Sequence, residues 1–183
     1  MTTMRREPGA RMRAEAGGAE LTLFGDVGWD ITVAGVAAAL KGVAADAPLT
    51  VRINSFGGSA FEGVAIHNTL ARHKGVKTVV VEAIAASAAS LIAMAGDTIV
   101  MPDNAFMMIH NAWGAAAGDA EEMRGYAHLL DQISTAYRDT YARRTGRPAE
   151  EVQAIMDAET WFTAAEAVEA GFASEVAAPA ELF

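Results

Sequence analysis

Apolar and polar positions along this chain switch repeatedly between a period of two and a period near 3.6. That pattern predicts strands alternating with helices. Glu20–Gly25 alternates as a short strand and stops at Gly25-Asp26. Thr32 is placed to cap a helix over Val33–Ala45, a stretch rich in Ala and Val. Leu49–Asn54 reads as a second strand, ended by Ser55-Phe56-Gly57-Gly58-Ser59. Phe61, Val64, Ile66 and Leu70 then recur near helical spacing and predict a helix over Phe61–His73. Val76–Val81, with four valines, reads as a third strand buried on both faces. Ala83–Gly96 is small and apolar apart from Ser87 and Ser90. It predicts a buried helix of about three turns starting near Ser87.

The second half continues the alternation. Thr98–Met101 and Phe106–His110 read as short strands separated by the turn Pro102-Asp103-Asn104. Asp119 and Glu122 make a capping box that opens a long helix over Ala120–Thr145, and Gly146 followed by Pro148 closes it. Met123, Tyr126, Leu130, Ile133, Tyr137 and Tyr141 step by three or four and form one apolar stripe. Glu150–Met156 predicts a further short helix. Thr163 and Glu166 form a second capping box before Ala164–Ala170, which ends at Gly171. Strands alternating with helices predict an α/β fold, mostly parallel at its centre. Residues 1–18 carry Arg5, Arg6, Arg11 and Arg13 with little to bury, and read as a flexible arm. Residues 19–183 contain no repeat or linker and are expected to form one domain.

Composition narrows the function classes. Hydrophobic residues make up 52% of the 183, enough for a sizeable core. Fourteen Lys and Arg against 23 Asp and Glu give a net charge of −9, which argues against a broad grip on nucleic acid. Cysteine is absent, so disulfides, thiolate metal sites and a Cys nucleophile are excluded, in keeping with a reducing, cytoplasmic setting. No apolar run reaches the roughly 18 residues of a membrane span, and no apolar stretch follows the first arginines as a secretory signal requires. No metal-ligand spacing, P-loop or dinucleotide fingerprint is present, so neither metal nor cofactor is expected.

Candidate chemistry concentrates in three places. The paired Gly57-Gly58 directly after a strand can expose backbone N–H groups that hold an anion, although such turns also serve purely steric ends. Ser87 stands where a strand hands over to a helix, among Ala85, Ala86, Ala88 and Ala89. Free N–H groups at that helix start could stabilise an oxyanion, while small polar residues in close helix packing are the structural alternative. A serine nucleophile needs a base. His67, His73 and His128 read as surface residues, whereas His110 ends the apolar run Phe106-Met107-Met108-Ile109 at the edge of the core. Asp157 and Glu159, just before Trp161-Phe162, are the acids available to orient an imidazole.

In combination these residues resemble the ClpP proteolytic subunit family of serine peptidases, most closely its phage and prophage head maturation branch. Four segments carry the resemblance, in order: Ile53-Asn54-Ser55-Phe56-Gly57-Gly58-Ser59, Ala85-Ala86-Ser87-Ala88-Ala89-Ser90, Met108-Ile109-His110-Asn111, and Glu159-Thr160-Trp161 leading to Glu166-Ala167-Val168-Glu169-Ala170-Gly171. It covers roughly residues 20–176. The resemblance implies Ser87 as nucleophile, His110 as general base and Glu159 as the third, acidic member. It implies an oxyanion hole from the backbone N–H groups of Gly58 and Ala88. This chain departs from the family pattern where Glu159 replaces the common Asp, which leaves Asp157 as a rival. It departs again where Phe56 replaces the proline of Ser-Pro-Gly-Gly, and where Ala83 replaces a glycine four residues before the nucleophile.

The resemblance also implies a crotonase-like strand–helix superhelix with a protruding helical handle, here the helix over Ala120–Thr145. The implied assembly is a homo-oligomeric ring, single or stacked as a double ring, that encloses a chamber for polypeptide substrates. In a phage setting the substrate is a capsid or scaffold protein; in a housekeeping setting an AAA+ unfoldase feeds the chamber. Two other classes share parts of this pattern: a ring-forming scaffold with a degenerate site, and a crotonase-like acyl-CoA enzyme.

Overall fold

The computed structural model describes residues 9–15 and 17–178. The main path of the sheet runs, in order, through β1 (Gly9–Glu15), β2 (Gly18–Phe24), β3 (Leu49–Ser55), β4 (Lys77–Ala86), β5 (Thr98–Pro102) and β8 (Glu175–Ala177). The β1 strand is antiparallel to β2, and every later neighbour along this path is parallel. The helices between strands are α1 (Val33–Leu40), α2 (Ala60–Ala71) and α3 (Ala88–Ala93). Leu21, Leu23, Val51, Ile53, Val79 and Val81 alternate into a core shared with Val36, Ile66 and Leu70 of the helices. No helix among the described residues is long and apolar enough to cross a membrane.

The feature that positions the site is a fork in β4. Between the pairs Ile53↔Val81 and Ser55↔Ala85, β3 advances two residues while β4 advances four. This bulge bends β4, as an inserted pair of residues does. Before the bend Thr78–Val80 pairs with β5; after it Ile84–Ala86 pairs in parallel with β6 (Phe106–Ile109). The β6 strand in turn pairs antiparallel with β7 (Thr160–Thr163).

The long helix α4 (Ala120–Thr145) is capped by the Asp119–Glu122 box and ends at Gly146 in the left-handed region (φ 71°). Its first half buries nothing, while Ser134, Tyr137 and Tyr141 pack into the body. It is the protruding handle. Helices α5 (Ala149–Asp157) and α6 (Ala164–Glu169) follow, the latter opened by the Thr163–Glu166 box.

Several expectations need correction. Residues 9–15, expected as part of a flexible arm, form β1; residues 1–8 lie outside the described residues. The first helix ends at Leu40 rather than Ala45, with Lys41 as its cap before a turn at Gly42. The third strand starts one residue later and runs to Ala86, because β6 supplies a partner for residues 84–86; Val76 itself is exposed. The buried helix after it is six residues long, and Ser87 is not helical. His128 is exposed as expected, but His67 and His73 are half-buried. The Nε2 atom of His73 lies 2.7 Å from the Ala47 carbonyl, a structural bond, and burial lowers the His67 pKa.

Candidate active site

Strand register brings three chemically relevant residues together. Ala86 pairs with Met108 across β4 and β6, so Ser87 and His110 each lie just past the ends of neighbouring parallel strands. Ile109 pairs with Thr160 across β6 and β7, and the next antiparallel step faces His110 with Glu159. The result is a Ser87 Oγ 2.8 Å from His110 Nε2, with His110 Nδ1 3.7 Å from a Glu159 carboxylate oxygen. The first separation is a hydrogen bond; the second is an ion-pair distance. The His110 side chain is 13% exposed, and that of Glu159 is 62% exposed.

The backbone at this site is held away from its ordinary minima. Ser87 (φ 54°) and Glu159 (φ 47°) are, among the described residues, the two non-glycine residues with positive φ. Each costs about 1–3 kcal/mol and persists because surrounding contacts enforce it. At Ser87 those contacts are its own N–H donating to the Met108 carbonyl at 2.9 Å and its carbonyl accepting the Ser90 N–H at 3.0 Å. The sharp turn lifts the hydroxyl off β4 at the start of α3, where helix N–H groups lack intrahelical acceptors.

Gly57 and Gly58 lie against that turn. A Cβ on Gly57 (φ 97°) would stand 2.7 Å from the Ser87 Cβ and 2.9 Å from the Ala88 nitrogen. Val27 locks the loop from behind: its N–H donates to the Gly57 carbonyl and its carbonyl accepts the Ser59 N–H, both at 2.8 Å. The N–H groups of Gly58 and Ala88 donate to no protein acceptor among the described residues.

The rival acid is accounted for separately. Asp157 is the last residue of α5, and its Oδ1 accepts hydrogen bonds from Asn111 Nδ2 and Gln153 Nε2, both at 2.8 Å. Asn111 first, then Gln153, hold its carboxyl below the usual carboxylate range. Asp157 thus pins the loop after His110 and makes no contact with the imidazole.

Two depressions meet at Ser87. One is a pocket of about 230 Å³ walled by Phe61, Tyr126, Leu129, Leu130 and Ile133, with no Asp, Glu, Lys or Arg among the described residues that line it. The other is a cleft of about 870 Å³ that runs past Glu159 and the turn at Asp26.

The decisive comparison follows from the sequence as a whole: residues 22–180 match the Clp protease family. The chain belongs to that family. Among curated Clp protease relatives, a proteolytic subunit 2 of an ATP-dependent Clp protease from Thermobifida fusca is 33% identical over 132 residues, covering 70% of this chain and 64% of that one. A proteolytic subunit 1 from Corynebacterium diphtheriae is 32% identical over 140 residues, covering 75% and 67% respectively. The match thus spans about two thirds of each relative. A ClpP1 variant from Listeria monocytogenes superposes with a TM-score of 0.76 over 88% of this chain and 92% of its own, at 24% identity, and shows the same fold.

The sequence pattern does not reveal how the handle grips the site. Ser134, Tyr137 and Tyr141 occupy one face of α4 by their spacing. Ser134 Oγ accepts the Ala112 N–H at 3.0 Å, and Tyr137 OH donates to the Ala60 carbonyl at 3.0 Å. Tyr141 OH lies 2.8 Å from Ser90 Oγ, whose own proton goes to the Ser87 carbonyl at 2.7 Å; Tyr141 is therefore the donor. Burial raises both phenol pKa values, keeping the hydroxyls as donors. One helix thus touches the segments that follow His110, Gly58 and Ser87. Tyr141→Phe is expected to cost about 1–3 kcal/mol, because Ser90 then loses a buried partner; urea unfolding reads the change.

Proposed function

We propose that this protein is a serine endopeptidase, with Ser87 as nucleophile, His110 as general base and Glu159 as the group that orients the imidazole. The observation that carries the reading is the 2.8 Å Ser87–His110 hydrogen bond on a strained turn beside two unbonded N–H groups. His110 Nε2 takes the Ser87 proton as Oγ bonds to the scissile carbonyl carbon. The oxyanion so formed faces the N–H groups of Gly58 and Ala88. His110 then gives the proton to the leaving amine, the C–N bond breaks, and an acyl-enzyme remains. Water repeats the cycle in reverse, releasing the new carboxylate and restoring Ser87.

The exposed first half of α4, with Met123 and Leu129, and the exposed Trp113 beside it offer apolar surface that another copy of the chain would cover. We read this as the surface of a homo-oligomeric ring around a chamber. The relatives' names, which include ATP-dependent, support an unfoldase partner. The Ala85–Ser90 and Glu159-Thr160-Trp161 segments favour head maturation as the setting, with a capsid or scaffold protein as substrate. ATP-independent cleavage of a folded capsid precursor would support that setting; a strict need for an ATPase would favour the housekeeping one.

Glu159 and Asp157 give the sharper test of the assignment. Glu159→Gln should lower kcat/KM on a fluorogenic peptide by roughly 10- to 100-fold; the exposed, 3.7 Å pairing makes its share smaller than that of a buried triad acid. Asp157→Asn should change it less than about threefold, because the amide keeps an oxygen to accept from Asn111 and Gln153 and the side chain makes no bond to the imidazole. The reverse order would reassign the acid. No hydrolysis by any preparation of the intact protein would remove the peptidase reading and bring a degenerate ring scaffold forward.

A further inference from the structure

We propose that the larger cleft at Ser87 is a subsite for a cationic substrate side chain, Lys or Arg, so that cleavage selects chains with an apolar and a basic residue close to the scissile bond. This rests on the peptidase reading for its role, but its chemistry can be tested apart from catalysis.

Three large, exposed aromatic side chains stand at the cleft: Trp113 (78% exposed) follows His110, while Trp29 (86%) and Phe56 (70%) belong to the Asp26 turn and the glycine loop. Neither of the last two sits on a loose loop. The Asp26 carbonyl accepts N–H groups from Trp29, Asp30 and Ile31 at 3.3, 2.9 and 3.0 Å. Asp30 Oδ2 closes the turn by accepting the Asp26 N–H at 2.9 Å. Val27 then ties this turn to Gly57 and Ser59 on either side of Gly58, one residue from Phe56. The backbone that carries the two rings is therefore tied to the loop beside Ser87. Exposed aromatic faces attract cations through their quadrupoles.

The charges in the cleft have one sign. Asp26, Asp157 and Glu159 line it, and no Lys or Arg among the described residues does. Two of these acids already have work: Asp157 holds Asn111 and Gln153, and Glu159 faces His110. The Asp26 carboxylate has no hydrogen bond or ion pair among the described residues, and it belongs to the same turn as Trp29. An apolar side chain entering here would desolvate carboxylates without replacing their hydrogen bonds. An acidic one would meet like charge. A basic side chain keeps its charge near water, gains an aromatic face and meets Asp26. The contrast with the uncharged pocket walled by Leu129, Leu130 and Ile133 gives the two depressions different partners.

The test uses the full-length Ser87→Ala protein, which binds peptides without cutting them. Fluorescent peptides carry one apolar residue and, at each neighbouring position in turn, either arginine or its neutral isostere citrulline. Anisotropy titration should show arginine binding about tenfold tighter at one or more positions, with the preference shrinking as salt is raised. Asp26→Asn and Trp29→Ala, each in the Ser87→Ala background, should reduce it below threefold, and Trp29→Phe should retain most of it. Equal affinity for arginine and citrulline at every position, absence of peptide binding, or a preference untouched by both variants would overturn the proposal. Hydrolysis by the unmodified protein is scored separately, so failure of the peptidase reading and failure of this subsite give different results.

Discussion

Replacing Ser87 by alanine is expected to lower peptide hydrolysis by roughly 10⁴- to 10⁶-fold while the protein keeps its fold and assembly state. That loss corresponds to about 5–8 kcal/mol of transition-state stabilisation. The reason lies in what the side chain touches: its one hydrogen bond is to His110 Nε2. The elbow itself is held by backbone bonds to Met108 and Ser90, which an alanine retains. His110→Ala should fall in the same range. The pair acts as a unit, and the double variant should be little worse than either single one. Size-exclusion profiles and thermal unfolding of Ser87→Ala that match the parent would locate the loss in the chemistry. A peptidase rate within tenfold of the parent would mean that another residue attacks the substrate.

The second large effect is expected at Gly58. Its φ of 141° is reached by few side chains, and a Cβ there would run into the Val27 carbonyl oxygen, with the Val27 carbonyl carbon and nitrogen each at 3.1 Å. That carbonyl accepts the Ser59 N–H, and the Val27 N–H holds the Gly57 carbonyl. Gly58→Ala must therefore push two hydrogen-bonded loops apart at the point where the oxyanion would bind. Loss of one well-aimed donor costs roughly 10²- to 10³-fold in kcat, and the strained backbone adds about 1–3 kcal/mol of destabilisation. Gly42→Ala is the matched control. It sits in a turn with nothing within 4 Å of the added carbon, and should leave both rate and stability close to the parent. If Gly58→Ala keeps full kcat, the oxyanion is stabilised elsewhere.

How far the sequence foretells this arrangement differs from residue to residue. Thr32, Asp119 with Glu122, and Thr163 with Glu166 act locally, and their caps form where the spacing predicts them. The Ser87 and His110 candidates were also legible, because small alanines flank one and an apolar run ends at the other. The choice between Asp157 and Glu159 rested on the family resemblance, which points to Glu159, and not on the residues themselves. They are two residues apart, and what separates them is the antiparallel register of β7 on β6, a long-range property. The length of β4 was hidden for the same reason: residues 84–86 become strand through pairing with β6, not through their own alternation. Gly9–Glu15 offers few apolar residues to bury, yet it pairs along the edge of β2 through backbone bonds that composition does not signal. Tyr137 and Tyr141 were visible as apolar positions; their hydroxyl bonds to Ala60 and Ser90 depend on tertiary packing.

The central claim, an activated Ser87 with His110 as its base, is tested most directly by a fluorophosphonate probe on the intact protein with the adduct mapped by mass spectrometry. The account predicts a single adduct on Ser87, formed at least about 100-fold more slowly in His110→Ala. A folded, oligomeric protein that shows no adduct on Ser87, or one that labels equally fast without His110, would contradict it.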